Sequence, residues 1–523
     1  MLLMRLSKKK RSQKEEARLL QRLNSPVKNK RSIVKWISLI AYPFFMLCPI
    51  QKANAQTNKE ALIYKQVLQL NFEASRKAIQ NTEKELFPSS EIYLNNLNDV
   101  LELVFTEDEA RFEALQVNEE KRLEELSRLD KSSPYTGFLA AEIKLQWAFV
   151  KLKFNKTWSG VWSLRSAYKL IKENIKTHPT FNLNYKTMGL LHVIFGAVPD
   201  NQQWVLSILG LEGDVALGLK ELVRIDDRES LFNTETNLIS ALIQSYLLED
   251  HAHALEKLSS SHQKQTLAEV YVSSLVYMKA HKAANASVLL QQAITETNDR
   301  NQVLPLFHYL LAEGQFQKGD HLSAKKNYLL FQNNSKGLNH KKDAQMKIAL
   351  CDFYLGNKKE FEQGWQLAKT TKTSDAEADK NAEKILEPKD LPNFELLKIR
   401  YAIDGGFYAM ANSLIEQIES SPLRPDEQLE LAYRKARNAH LSGQLKEASG
   451  YYEQVINNNQ KLTETYFVPN SFLQIAYIKL TQRDTSEAII YFNKVLEFKR
   501  HPYKNSLDSK AKIALETINF AGG

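Results

Sequence analysis

Cysteine is nearly absent from the 523-residue sequence, which contains only Cys48 and Cys351. Cys48 lies in a leader that we expect to be removed, and a single remaining thiol can form neither an intramolecular disulfide nor a cysteine-based metal site. Glycine and proline are also scarce, with 18 and 14 residues. A fold with many β-hairpins needs these residues at its turns, so their scarcity disfavours an all-β protein. The composition favours an all-α fold.

Motifs of catalysis and of cofactor binding are missing as well. The sequence contains no His-Glu-x-x-His, no Gly-x-Ser-x-Gly and no phosphate-binding loop ending in Gly-Lys-Ser or Gly-Lys-Thr. His251 and His253 are two positions apart, which places their rings on opposite sides of a helix. No metal-ligand spacing occurs among the 11 histidines. We therefore expect a protein that is not an enzyme and has no cofactor and no metal site.

Positive charge is concentrated at the N-terminus, although the chain as a whole has a net charge of +9. Residues 1–55 contain 13 Lys and Arg and two acids, a charge of +11, so the remaining residues carry −2. Binding of nucleic acid requires clustered cations that neutralise phosphates. A nearly neutral body therefore predicts that nucleic acid is not a partner.

The basic residues precede a segment with the three parts of a secretory signal peptide, KNKRSIVKWISLIAYPFFMLCPIQKANAQ at residues 28–56. A basic flank is followed by an apolar stretch from Trp36 to Ile50 and by the tripeptide Ala-Asn-Ala, so we predict cleavage after Ala55. The apolar stretch is short for a membrane span, but an uncleaved anchor remains the alternative. We expect export to the periplasm or cell envelope of a Gram-negative bacterium, and a peripheral association with the envelope is compatible with this leader.

One pattern recurs through the C-terminal half: a turn residue, a small residue about five positions later, and a bulky residue four positions after that. It occurs in QFQKGDHLSAKKNYLLF, HLSGQLKEASGYYEQVI and KLTQRDTSEAIIYFNKVL, and in weaker form elsewhere. The small residue, or the phenylalanine that replaces it once, is found at Ala254, Ala286, Ala324, Phe361, Ala411, Ala448 and Ala488. Successive centres are 32 to 50 residues apart, a range that includes the tetratricopeptide period of about 34 residues.

This spacing predicts helix hairpins, because the small residue lets the second helix approach the first and the bulky residue fills the gap one turn later. One hairpin cannot bury its apolar face alone, so neighbouring hairpins must stack. The pattern resembles tetratricopeptide repeats, well over residues 300–505 and more loosely over residues 235–300. The resemblance implies an all-α fold of tetratricopeptide-like hairpins stacked in a right-handed superhelix, an α-solenoid.

Three regions follow from these patterns. Residues 1–55 form the basic extension and signal peptide, residues 56–234 form an N-terminal helical region, and residues 235–523 form the repeat array. The polar, alanine-rich stretch at residues 373–392 lengthens one repeat interval, and we predict an exposed loop with some helix there.

Residues 189–222, GLLHVIFGAVPDNQQWVLSILGLEGDVALGLKEL, differ from the rest of the N-terminal region because glycines interrupt an apolar run. We predict one helix ending near Ala197, a second helix after a Pro-Asp turn, a glycine corner, and a third helix beginning at Asp214. With WSLRSAYKLIKE before it and the hairpins after it, this stretch resembles the tetratricopeptide repeat 39 family and its inclusion-body-clearance relatives over about residues 135–370. That family acts in lipid-droplet or inclusion-body handling. Its members lack a secretory leader, so we expect a shared architecture rather than a shared role.

The resemblance to tetratricopeptide domains implies that certain positions in the first helix of each repeat line a concave groove. In this sequence those positions are Tyr309, Glu313, Phe316, Tyr433, Arg437, His440, Leu473 and Tyr477. Tyrosine and arginine are frequent anchors of interfaces, but the same helix face also packs between repeats, which leaves packing as the alternative for about half of them. The sequence thus predicts an exported, non-enzymatic scaffold that binds a protein or peptide in the cell envelope. A glycan-capturing protein associated with uptake is the alternative.

Overall fold

The computed structural model describes residues 54–82, 86–198, 200–224, 233–259, 264–298, 302–388, 390–458 and 465–521. In these ranges the chain consists of α-helices and the turns between them, which confirms the predicted all-α fold. None of the described helices combines the length and the apolar run that crossing a bilayer requires. Of the predicted leader, only Asn54 and Ala55 lie within the described residues.

The helices group into two compact units, of which unit 1 comprises the described residues of 131–224 and unit 2 the remaining described residues. The first helices of unit 2 are α1 (Asn54–Leu68), α2 (Phe72–Thr82), α3 (Pro88–Thr106), α4 (Glu109–Leu115) and α5 (Val117–Arg128). The helices of unit 1 are α6 (Pro134–Lys153), α7 (Thr157–Thr177), α8 (Asn184–Gly196), α9 (Asp200–Leu209) and α10 (Val215–Val223).

The C-terminal part of unit 2 contains the predicted repeat array. Its repeats 1 to 4 are α11 (Asn233–Tyr246) with α12 (His251–Ser259), α13 (Leu267–Lys279) with α14 (Ala283–Asn298), α15 (Pro305–Gln317) with α16 (His321–Asn334), and α17 (Lys341–Tyr354) with α18 (Lys358–Thr370). The helix α19 (Glu377–Leu386) follows. Repeats 5 to 7 are α20 (Phe394–Asp404) with α21 (Tyr408–Glu419), α22 (Pro425–Leu441) with α23 (Leu445–Asn457), and α24 (Phe467–Thr481) with α25 (Thr485–Glu497). The last described helix is α26 (Lys504–Ala521).

These seven hairpins have the predicted repeat geometry. In each of them a residue with left-handed backbone lies in the turn, five positions before the predicted centre. The left-handed residues are Glu249, His281, Gly319, Gly356, Gly406, Gly443 and Arg483. The alanine centres are fully buried, and so are the aromatic residues four positions after three of them, Tyr328, Tyr452 and Phe492. The prediction of tetratricopeptide-like hairpins is therefore confirmed.

Two further hairpins have the same geometry, although the sequence pattern did not reveal them. The α1/α2 turn contains Leu70 at φ 56°, five positions before the fully buried Ser75. The α6/α7 turn contains Asn155 at φ 57°, five positions before Gly160, where a Cβ would lie 2.7 Å from Leu152 Cγ. Leucine and asparagine hold the left-handed position in these two turns. The three clearest copies of the pattern have glycine or aspartate in the turn instead.

Contacts between distant repeats of unit 2 close the array on itself. The Ala283 amide donates to the Gly405 carbonyl at 3.2 Å, which joins repeat 2 to repeat 5. Lys510 Nζ of α26 lies 2.7 Å from Glu249 Oε1 in the turn of repeat 1. Helices α15 and α20, which belong to repeats 3 and 5, also contact each other directly. We call the surface formed by the first helix of each repeat the inner face.

The N-terminal helices of unit 2 pack on this array. Lys336 Nζ, between α16 and α17, lies 2.6 Å from Asp108 Oδ2 between α3 and α4. The Gln302 side chain donates to the Leu70 carbonyl at 2.7 Å. These contacts connect residues 54–130 to the repeats, whereas the predicted domain division after residue 234 remains a prediction.

The glycine corner of unit 1 has the predicted order of helices. Helix α8 ends at Gly196, α9 follows, and Asp214 caps α10 by accepting a hydrogen bond from the Leu217 amide at 2.8 Å. The corner also returns to α8, because the Asp214 amide donates to the His192 carbonyl at 3.1 Å. The stretch is thus a packed turn between helices, as predicted.

Two close backbone approaches at this corner require glycine. A Cβ at Gly213 would lie 2.2 Å from the Gly196 nitrogen, and one at Gly218 would lie 2.5 Å from the Gly189 oxygen. No side chain fits at these distances, so α10 and the turn before it can pack on α8 only without a Cβ at these positions. Gly210 serves a different purpose, since it has a left-handed backbone with φ 65° and open space around it.

The insert between repeats 4 and 5 contains the expected helix, α19, but that helix packs on α17 instead of lying exposed. Ala382 and Leu386 form its apolar face and are 0% and 3% exposed. Asp379 is also fully buried, and its Oδ1 accepts a hydrogen bond from the Asp343 amide at 2.9 Å. The polar composition of the insert concealed this buried face.

Candidate functional site

The eight residues that the resemblance assigned to a concave groove all lie on the first helices of repeats 3, 6 and 7, but four of them are buried. The buried residues, at most 5% exposed, are Tyr309, Phe316, Tyr433 and Leu473. The partly accessible residues are Glu313, Arg437, His440 and Tyr477. Their role in partner binding remains a prediction. Most of them pack against other side chains, and Arg437 is the exception.

Tyr309, Glu313 and Phe316 of repeat 3 contact side chains of repeats 4 and 5. Lys347 Nζ of α17 lies 2.7 Å from Glu313 Oε1 and 2.8 Å from Asp343 Oδ2. The Tyr309 hydroxyl donates to Asp343 Oδ2 at 2.7 Å. Phe316 is enclosed by aromatic rings, among them Tyr401 at 5.0 Å between centroids. These contacts hold adjacent repeats together.

The charges of this cluster compensate one another. Burial opposes the charge of Lys347, but the carboxylates of Asp343 and Glu313 outweigh burial and raise the pKa of Lys347. Burial raises the pKa of Glu313, and it raises the pKa of Asp379 to about 6. The buried Lys347 ammonium donates its hydrogen bonds to the carboxylates of Glu313 and Asp343. The cluster is therefore structural and leaves Lys347 no donor for a ligand.

Tyr433 packs between repeats 6 and 7, and Leu473 packs within repeat 7 and against α26. The Tyr433 ring lies 5.1 Å from that of Phe467, and its hydroxyl accepts a hydrogen bond from the Asn470 side chain at 2.7 Å. Leu473 is fully buried in the core cluster around Phe492. Tyr477 contacts the same Phe492 ring at 5.3 Å. Truncating any of these side chains would open the core.

Arg437 is the exception among the eight residues. Its guanidinium donates to Gln474 Oε1 of repeat 7 at 2.7 Å. Within the described residues no carboxylate lies within 4.0 Å of it, although Asp404 is close enough to interact electrostatically. The guanidinium also interacts with the Tyr452 hydroxyl. It has five N–H donors in all, and none of them has a carboxylate acceptor at ion-pair distance among the described residues.

Two histidines lie close to Arg437, one from its own helix and one from repeat 2. Burial and, after it, the positive charge of Arg437 lower the pKa of His440 to about 3. The pKa of His281 is lowered to about 4 for the same two reasons, burial and then Arg437. Both rings are neutral at neutral pH, so the positive charge at this point comes from Arg437. Because His281 belongs to repeat 2, closure of the array assembles this site.

Further cations belong to the first helices of repeats 2, 5 and 6 and to α19 and α26, and they interact electrostatically with one another or with Arg437. We define the inner basic face as Lys279, Lys384, Arg400, Arg434, Arg437 and Lys510. The carboxylates that interact with these cations are those of Glu249, Glu377, Asp404 and Glu430. The face therefore contains six cations and four carboxylates, in contrast to the nearly neutral body of the chain.

Solvent reaches this face, since the side chains of Lys279, Arg400 and Lys510 are 29%, 26% and 26% exposed. Most of its cations have a partner. Arg434 lies 2.6 Å from Glu430 Oε1, and Lys384 Nζ is stacked 3.7 Å from the centroid of the Tyr503 ring. Arg437 and Lys384 are the members of the face without a carboxylate at ion-pair distance among the described residues, and Lys384 has the Tyr503 ring as its partner.

The spacing from the repeat centres identifies one further residue of the inner basic face, Arg400. Arg437, Glu313 and Tyr477 each lie 11 positions before the alanine centre of their repeat. Arg400 has the same spacing from Ala411, the centre of a weaker copy. Extending the register to every repeat would have added Arg400. Lys384 and Lys510 lie outside the repeats, so no repeat register could have revealed them.

Comparisons with known proteins show limited similarity. No protein-family model and no curated protein matches the chain. Among solved structures, the human IFIT1 dimer with m7Gppp-AAAA has 13% sequence identity and a TM-score of 0.35, covering 90% of this chain and 95% of that one. The P58(IPK) TPR domain has 13% identity and a TM-score of 0.18, covering 72% and 99%. The APC/C hetero-tetramer Cut9-Hcn1 has 10% identity and a TM-score of 0.20, covering 88% and 96%.

The fold is tetratricopeptide-like. This assignment depends on the hairpin geometry of the chain itself, since TM-scores this low carry no argument about function. Among the described residues no group of three or more histidine, cysteine, aspartate or glutamate side chains is placed to hold a metal ion. Cys351 is buried and burial raises the pKa of its thiol.

Proposed function

We propose that the protein is an exported, non-enzymatic helical-repeat scaffold that binds a protein or peptide partner through the inner face of its repeats. The observation that carries the proposal is Arg437, a cation on a partly accessible inner face that lacks an anionic partner at ion-pair distance. Helical repeats expose extended concave surfaces to ligands. Arginine on such a surface is a frequent centre of binding energy.

The surroundings of Arg437 suit a peptide. The side-chain amides of Asn470 and Gln474 lie on the first helix of repeat 7, where Gln474 Nε2 donates to Asn470 Oδ1 at 3.1 Å. Amides both donate and accept, which matches the alternating N–H and C=O groups of a peptide backbone. The proposed kinship with the tetratricopeptide repeat 39 family concerns architecture over residues 135–370 and adds no partner.

The test is capture of the partner from envelope fractions, followed by mass spectrometry. Arg400→Gln with Arg437→Gln should reduce capture about tenfold or more, because both substitutions remove charge from the inner face. Lys359→Gln with Lys446→Gln is the matched control, since these lysines are exposed on the second helices of repeats 4 and 6. Equal capture by both double variants would contradict the proposal.

Export has its own test. N-terminal sequencing of the protein recovered from the periplasm or envelope should begin at Gln56, because the basic flank, apolar stretch and Ala-Asn-Ala tripeptide end at Ala55. A chain that retains residues 1–55 and remains in the membrane fraction would indicate an uncleaved anchor. A chain that retains them in the cytosol would contradict export.

A further inference from the structure

We propose that Arg437 is the anchor for a carboxylate of an acidic peptide segment, which enters the inner face between repeats 2, 6 and 7. This inference rests on the proposed function and specifies its ligand. Arg437 lies on repeat 6, Gln474 of repeat 7 accepts a hydrogen bond from it, and His281 of repeat 2 is near enough to interact with it electrostatically. The site therefore exists only in the closed array.

Arg437 has no counter-ion at ion-pair distance among the described residues. A cation held among protein groups without a counter-ion is destabilising, because its desolvation is not offset by an ion pair. Other cations of the inner basic face have offset this cost. Arg434 pairs with Glu430, and Lys510 and Lys279 share Glu249 at 2.7 and 3.4 Å. Arg437 retains its capacity for an anion that arrives with a ligand.

Hydrogen bonds to neighbouring side chains orient the Arg437 guanidinium. Gln474 accepts from Arg437, Gln474 donates to Asn470, and Asn470 donates to the buried Tyr433 hydroxyl. This chain of hydrogen bonds and the Tyr452 hydroxyl fix part of the guanidinium, and they leave its other N–H groups in a defined direction. A carboxylate accepts two parallel N–H groups of a guanidinium, so a fixed fork is suited to it. Tyr433, Asn470 and Gln474 are thus positioning residues.

The charge balance of the inner basic face favours an acidic peptide over a nucleic acid as its ligand. A nucleic-acid strand carries a phosphate at every nucleotide and needs a series of unneutralised cations. Here Arg434, Lys279 and Lys510 are paired, and Asp404 Oδ2 lies 3.6 Å from Arg400. Facing carboxylates would repel a polyphosphate. One carboxylate on an otherwise neutral segment meets a single open arginine without that repulsion.

The experiment uses the full chain and a fluorescein-labelled alanine decapeptide with one central glutamate and an amidated C-terminus. Fluorescence anisotropy should show binding that weakens as salt is added. Arg437→Gln should weaken it about tenfold or more, and Arg437→Lys should lie between, because lysine keeps the charge and loses the fork. Lys446→Gln should bind as the unchanged protein does.

Stability separates a ligand-binding role from a packing role. Arg437→Gln should leave the melting temperature of the ligand-free protein unchanged or raise it, because it removes an uncompensated charge. A fall in melting temperature together with unchanged peptide binding would overturn the proposal. Both readouts come from the same purified variant, so a folding failure is recognised directly.

Further probes identify the source of the anion. An alanine decapeptide with a free C-terminus that binds better than the glutamate peptide would replace the side-chain carboxylate by a terminal one and overturn the acidic-segment proposal. Stronger, Arg437-dependent binding of decauridylate RNA or inorganic phosphate would also overturn it. If envelope capture depends on Arg400 and Arg437 but the glutamate peptide does not bind, this inference fails and the proposed function stands.

Discussion

Replacing Lys186 by methionine is expected to destabilise the protein by about 3–5 kcal/mol. Lys186 Nζ in α8 lies 3.0 Å from Glu142 Oε2 in α6, and the two side chains are 1% and 2% exposed. The Thr187 hydroxyl also hydrogen-bonds to Glu142. Methionine fills a similar volume but leaves the buried carboxylate without its counter-ion. Chemical denaturation of the full chain, followed by circular dichroism, measures the loss.

The double variant Lys186→Met with Glu142→Gln is the matched control. It replaces the ion pair by neutral groups of similar size, and glutamine can still accept a hydrogen bond from Thr187. Most of the lost stability should return, because the cost comes from the isolated charge more than from the missing attraction. A loss below about 1 kcal/mol for Lys186→Met would contradict the prediction.

The ion pair shows which contacts the sequence could not predict. Lys186 and Glu142 are 44 positions apart on two helices that both read as apolar helix with occasional polar residues. Helical periodicity identifies a buried face but not the partner of a polar residue within it. Only the packing of α8 against α6 brings the two charges together.

The repeats were predictable because their signal is local. The left-handed turn residue, the small centre and the bulky residue four positions later all lie within ten residues, and steric requirements demand each of them. At the α1/α2 and α6/α7 turns, where Leu70 and Asn155 hold the left-handed position, the repeats were missed although the geometry was retained. A search for the buried small residue and the bulky residue alone would have found Ser75 with Ile79.

The inner face was predictable only in part. The register placed Tyr433 and Arg437 on one face of α22, but a face that lines a groove and a face that packs on the next repeat are the same stripe of a helix. Tyr433 contacts repeat 7 and is buried, whereas Arg437 points where the array closes. That closure depends on contacts such as the hydrogen bond from Ala283 to Gly405, between residues 122 positions apart. No local pattern encodes it.

Gly213→Val is expected to lower the stability of the protein by about 3 kcal/mol, the upper end of the range for overpacking. A Cβ at this position would lie 2.2 Å from both the Gly196 nitrogen and the Phe195 carbonyl carbon. These are backbone atoms, which cannot rotate away as a side chain would. The hydrogen bond from the Asp214 amide to the His192 carbonyl also holds the turn against α8, so relief requires that the corner separates from the helix.

Gly210→Ala is the control, because it changes a glycine of the same corner without a clash. Gly210 has φ 65° and no neighbouring atom within 4 Å of a Cβ. Alanine there costs only the strain of a left-handed backbone, about 1 kcal/mol. Thermal unfolding of the full chain should therefore rank the unchanged protein first, Gly210→Ala second and Gly213→Val last. Equal losses for the two variants would show that backbone conformation, and not close packing on α8, explains the glycines of this corner.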